Sequence, residues 1–228
     1  MRDVTAAAKA GAEQAGIPMP EQGSYNRHAW KPFYAIEDFN RIYPEYIKMA
    51  QPSLYVAGRA GDVQDSIRNN HKLLKNKKII PWLTAGTYGE FDSFKIEQMI
   101  LEAFMNGAGG ITYYEYHDFT DSPLDFYYHA KALAQIRPYE NLIADGEILE
   151  PSGSNDKLLY SGIRKDGEML LLVGNYVNAP EKTTVKLPFR HVSKITDLQT
   201  GKTVDGTTDF SFEVPKGGIR LFHIAGKN

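Results

Sequence analysis

The chain has no cysteine, which excludes disulfide frameworks, thiolate zinc sites and a cysteine nucleophile without fixing the compartment. No window has the length and apolarity of a membrane span, and residues 1–16 lack the apolar stretch of a secretory signal. There is no run of like charge that reads as a tail. A formal net charge of −2 and a pI near 6.3 leave no basic footprint for a nucleic-acid partner. A glycine-rich phosphate loop and a G-x-S-x-G elbow are both missing, so neither a nucleotide-binding sheet nor that kind of Ser-His-Asp hydrolase is supported. His28, His71 and His129 are scattered without ligand spacing. The neighbours His117 and Asp118 fall short of the three or more convergent ligands a metal wants. No metal or cofactor is expected.

What is present suffices for a packed core. Of 228 residues, 42% are hydrophobic and 24% charged, which leaves room for one large domain or two small ones. The aromatic share, 12%, is led by 14 Tyr. Such rings pack cores, and they also stack on apolar ligand faces while keeping a polar tip.

The pattern has two textures. Over residues 1–144, short β-rich runs alternate with helical periodicity. Val4, Ala7, Ala8, Gly11, Ala12 and Ala15 share one helix face, stopped by Gly16 and Pro18. A chain that opens on such a helix fits a cytoplasmic protein or a piece whose start lies upstream. Strands are expected at 23–27, 52–58, 78–84 and 111–116. Helices are expected around 36–49, after Asp62 (Val63, Ile67, His71 and Leu74 on one side), after Asp92 or Ser93 (Ile96, Met99, Ile100, Ala103 and Phe104), and from Ser122 to about Arg137, closed by Pro138. Repeated βα units at this spacing imply a parallel sheet, and four of them make half of a (β/α)8 TIM barrel; a small open doubly wound sheet is the alternative.

From Asp145 the texture changes to short strands separated by turn signals such as Lys165-Asp166-Gly167 and Lys216-Gly217-Gly218. Strands at 158–164, 169–173, 183–187, 192–198, 210–214 and 219–224 point to an all-β sandwich over 145–228. The fold class expected is α/β, a partial (half) TIM (β/α)8 barrel with a C-terminal all-β sandwich domain.

The segment Ile79-Ile80-Pro81-Trp82-Leu83-Thr84-Ala85-Gly86-Thr87-Tyr88-Gly89-Glu90-Phe91 resembles the seventh strand and loop of a glycoside-hydrolase barrel. Glu97 through Tyr114 is similar to the helix and final strand of such enzymes, where glycines precede a strand that ends in aromatic and acidic residues. The resemblance is to the glycoside hydrolase superfamily and covers most of the chain. It implies that the four strands are the fifth to eighth of a barrel. In the retaining clan it resembles, one carboxylate follows strand four and the other strand seven, so the strand-four acid would be missing here.

Barrel enzymes carry their chemistry at the C-terminal ends of strands, and glycoside hydrolysis needs two carboxyl groups flanking the bond. Glu90, just past strand seven, is the candidate nucleophile or base, with Glu115 the candidate second carboxylate. Alternation places Tyr113 and Glu115 on one strand face. Tyr25, Arg27, Trp30, Arg59, Trp82, Tyr88, Tyr113 and Asp118 are the candidate substrate contacts. Asn26, His28, Thr84, His117 and Asp121 lie at the same strand ends, and Phe33 and Tyr34 follow Trp30. Each has a plainer role open to it: an acid at a helix start, an arginine paired with an acid, an aromatic in the core.

The expected activity is cleavage of glycosidic bonds in an oligosaccharide or glycoside substrate by a two-carboxylate mechanism. The expected partner is either a second copy or a missing N-terminal half, with no nucleic acid and no membrane. A non-catalytic carbohydrate-binding or scaffold protein is the alternative. An extracytoplasmic location is expected if the chain is a piece of a secreted bacterial enzyme.

Overall fold

Alanine-rich periodicity gives α1 (Arg2–Ala15), and Gly16 stops it in the left-handed region at φ 66°. The structure, a computed structural model, describes residues 2–19, 22–26, 47–54, 60–74, 78–84, 93–114 and 123–227. Parallel strands and helices follow α1 among the described residues. β1 (Gln22–Asn26) pairs in parallel with β2 (Ile47–Pro52), and β2 with β3 (Lys78–Ile79). After the Ile80-Pro81 interruption, β4 (Trp82–Thr84) pairs in parallel with β5 (Thr112–Tyr114), and a parallel bridge joins Ser53 to Trp82. Order in space therefore follows order in the chain. A doubly wound sheet reverses at a switch point, whereas this arrangement is that of a barrel wall.

The second strand begins at Ile47, so it overlaps the end of the helix expected over 36–49. Pro44 lies inside that periodicity. Proline disfavours helical backbone in the residue before it and removes a helix donor. From Lys48 onward the pattern is that of a strand: Ala50, Pro52 and Leu54 are buried, while Gln51 is half-buried.

Helices cover one side of this sheet. α2 (Ala60–Leu73) buries Val63 and Ile67, and α3 (Phe94–Met105) buries Ile96, Met99, Ile100, Leu101, Ala103 and Met105. α3 is apolar on nearly every side, which already implies neighbours on both flanks. Gly107 ends it at φ 95°, and an added Cβ would meet Ile148 and His71. Gly107→Ala is therefore expected to cost about 2 kcal/mol or more of stability, from backbone strain plus overpacking; chemical denaturation reads this directly.

α4 (Pro123–Ile136) starts at the expected Pro. It ends at Ile136, one residue from the expected end, just before Pro138. That proline sits at the start of a 3₁₀ turn (Arg137–Tyr139), where no donor is needed, and α5 (Glu140–Asp145) follows at once.

The remainder is antiparallel. β6 (Glu147–Leu149), β7 (Leu159–Lys165), β8 (Glu168–Gly174), β10 (His191–Asp197), β11 (Thr203–Asp205) and β13 (Ile219–Lys227) form one sheet in the order β11-β10-β13-β8-β7-β6. β9 (Glu181–Lys186) and β12 (Asp209–Val214) form a two-stranded partner sheet. The core between the two sheets holds Met169, Leu171, Val173, Val185, Phe210, Val214 and Phe222. The alternate residues Leu170 and Leu172, with Ile163, Ile219 and Leu221, face the opposite way and share one apolar cluster with α2, α3 and the parallel strands. β8 is thus buried on both faces, which explains its unbroken apolar run.

Candidate functional site

The parallel strands present two faces. Ala50, Leu54, Ile79 and Leu83 belong to the cluster under the helices. Strand alternation turns Gln51, Ser53, Trp82 and Thr112 to the other face, the inner side of the barrel wall. Trp82 is half-buried there, opposite Thr112 in register and bridged to Ser53. Ser53 is 1% exposed, and its Oγ has no hydrogen-bond partner among the described residues. Thr112 Oγ1 donates to the Pro81 carbonyl at 3.0 Å.

Tyr113 lies in the other layer. Its ring packs against the cluster under the helices, and its hydroxyl is 2.6 Å from His129 Nδ1 on α4. Burial pushes the Tyr113 hydroxyl well above its ordinary range and His129 below its own. The hydroxyl and Nδ1 share one hydrogen bond whose direction is set by the imidazole tautomer. The structure thus puts Tyr113 in the packing between strand and helix.

Tyr25 lies in β1 opposite Gln51. Arg27, Trp30, Arg59, Tyr88, Glu90, Glu115 and Asp118 lie outside the described residues, as do His28, Phe33, Tyr34, His117 and Asp121. Asn26, Pro52, Thr84 and Tyr114 close the strands from which those segments continue. Among the described residues no group of three or more His, Asp or Glu is arranged to hold a metal ion. No helix among them is long and apolar enough to cross a membrane.

A second polar constellation escaped the sequence reading. Glu97, Gln98, Glu102 and Asn106 are all buried polar residues of α3 or its C-terminal end. Glu97 accepts from Lys131 Nζ at 2.7 Å, Gln135 Nε2 at 3.0 Å and Gln199 Nε2 at 3.3 Å, which ties α3 to α4 and to the sandwich. Gln98 donates to the Gly217 carbonyl at 2.8 Å. Glu102 is surrounded by Ser161, Asn106 and Tyr176. The signal was in the sequence: with Leu101 and Met105 apolar on the flank opposite Ile96 and Ala103, the polar positions between them could not all reach water.

No family model matches the chain, and no curated protein matches its sequence. Its fold resembles that of several solved glycoside hydrolases. It superposes on an Anoxybacillus α-amylase with a TM-score of 0.64 at 13% identity, covering 98% of this chain and 56% of that one. A β-L-arabinopyranosidase from Geobacillus stearothermophilus, solved with arabinose, gives 0.63 at 10% identity over 95% of this chain and 60% of its own. α-Galactosidase I from Mortierella vinacea gives 0.63 at 10% identity over 99% and 63%. The chain thus spans little more than half the length of these structures. Its fold is a partial TIM barrel with a C-terminal β-sandwich.

Proposed function

We propose that the chain is the C-terminal part of a carbohydrate-active barrel and cleaves glycosidic bonds by a two-carboxylate mechanism once four further βα units complete the ring. Residues 1–144 supply the barrel wall and residues 145–228 the companion β domain. The observation that carries this reading is the arrangement of the parallel strands. They run in chain order, and each leads at its C-terminal end into a segment that holds candidate acids or aromatics, Glu90 after β4 and Glu115 after β5. Trp82 on the inner face offers a ring for the apolar side of a sugar. The fold shared with sugar hydrolases adds weight without fixing the sugar.

The completing half has a surface to meet. Leu124, Phe126 and Tyr127 on α4 are 52%, 71% and 58% exposed. A groove further along α4 is lined by Phe104, Leu133, Ala134 and Ile143. In a closed barrel the next βα unit covers such a helix face.

The experiment is an assay on a panel of aryl glycosides, first with the chain alone and then with the chain joined to a (β/α)4 N-terminal half. Turnover only in the joined protein is the expected result. Oligosaccharide binding without hydrolysis in a well-folded joined protein would replace catalysis by the binding or scaffold role.

A further inference from the structure

α3 meets the sandwich through a polar cluster sealed from water. Glu102 is 0% exposed. One carboxyl oxygen accepts from Ser161 Oγ at 2.7 Å and from Asn106 Nδ2 at 3.1 Å, and the other accepts from the Tyr176 hydroxyl at 3.2 Å. Two of these three donors belong to the sandwich.

Every element packed here contributes. α2 brings Arg68, which donates to Asn106 Oδ1 at 2.7 Å and to the Tyr160 carbonyl at 2.8 Å, and neutral Gln64, which donates to Ser161 Oγ at 2.8 Å. β7 adds Tyr160, whose hydroxyl is turned to Thr183 at 2.7 Å. β8 brings the apolar Leu170 and Leu172. α4 brings Lys131, already paired with Glu97. Arg68 is the cation of the cluster, and it reaches the carboxylate through Asn106.

We propose that the Glu102 cluster is a pH-dependent latch between α3 and the sandwich, closed when the carboxyl group holds a proton and loosened when it ionises. In the neutral form one oxygen keeps Ser161 and Asn106, and no charge is buried. In the ionised form a charge stands in apolar surroundings, answered by dipoles and by an indirect guanidinium. Burial accordingly pushes the carboxyl up from its usual 4.5 to about 7, against the opposing pull of Ser161, Tyr176, Arg68 and Asn106. Between those two values the folded chain keeps a proton that the unfolded chain has released. This contribution to stability is whole below pH 4.5 and is lost as the pH rises through about 7. The latch does not depend on which reaction the barrel performs.

The test compares the full chain with Glu102→Gln, which mimics the protonated group, by thermal unfolding and amide hydrogen exchange from pH 5 to 9. The melting midpoint of the parent is expected to fall by roughly 5–10 °C between pH 5 and 8, while that of Glu102→Gln stays within about 2 °C. Above neutral pH, amides of α3 and β7 should open more often in the parent than in the variant. Tyr176→Phe removes a bond to the charged form, so its loss of stability should begin at the same pH as in the parent but run on to a higher one. This variant also decides the question if Glu102→Gln fails to fold. Parallel midpoint curves for parent and Glu102→Gln, or an unmoved transition in Tyr176→Phe, would overturn the proposal.

Discussion

Glu90→Gln in the completed barrel is expected to lower kcat by about a thousandfold or more while leaving far-ultraviolet circular dichroism and the melting midpoint unchanged. The amide keeps the shape of the carboxyl but neither attacks a sugar carbon nor takes a proton from water, and a double-carboxylate reaction cannot proceed with one member removed. Glu90 follows Thr84, the last residue of β4, by six positions, within the βα segment where a barrel carries its chemistry. An azide rescue experiment adds a second readout. A glycosyl azide of inverted anomeric configuration assigns Glu90 as the nucleophile, whereas one of retained configuration assigns it as the acid or base. Near-full activity in the variant would transfer the role to Glu115 or Asp118.

Arg68→Met is expected to destabilise the chain by about 2–4 kcal/mol at pH 8 and by visibly less at pH 6. Methionine fills much of the volume but donates nothing. Asn106 Oδ1 loses the donor it meets at 2.7 Å, and the Tyr160 carbonyl is left with Gln64 Nε2 at 3.1 Å. The guanidinium also favours the ionised form of Glu102, so its removal penalises that form further. The deficit should therefore grow with pH, whereas a simple loss of packing would give the same deficit at both values. Urea denaturation at the two pH values measures it. A deficit below about 1 kcal/mol at pH 8, or one equal at both, would show that Arg68 does not support the cluster.

Much of the fold was legible because local chemistry and burial agreed. The turn Lys165-Asp166-Gly167 leads directly into Met169–Val173, and in the structure Asp166 and Gly167 both take positive φ, 48° and 83°, in the tight hairpin between β7 and β8. The apolar spacing of α3 was readable for the same reason. The start of β2 was not: residues 36–49 carry helix-like spacing, and only the weight given to Pro44 separates a helix from a strand entered late.

Within the candidate site, strand alternation told which residues travel together but not which face is inner. Thr112-Tyr113-Tyr114 is aromatic or β-branched throughout, so nothing local says that Tyr113 turns to His129. Glu102 was hidden by a different cause. Its partners Ser161 and Tyr176 are 59 and 74 residues away, and no window of sequence brings them together.

The two-sided burial of β8 bears on how this β module is inherited. Cut free after residue 144, it would turn Ile163, Leu170, Leu172, Ile219 and Leu221 to water and strip Ser161 and Tyr176 of their shared acceptor. A genetic exchange that carried it alone would deliver a sticky, half-dressed sheet. The piece that travels intact reaches back to Ala60 and takes both helices along, so recombination within this kind of protein is expected to respect a seam inside the barrel wall rather than at the visible change of texture.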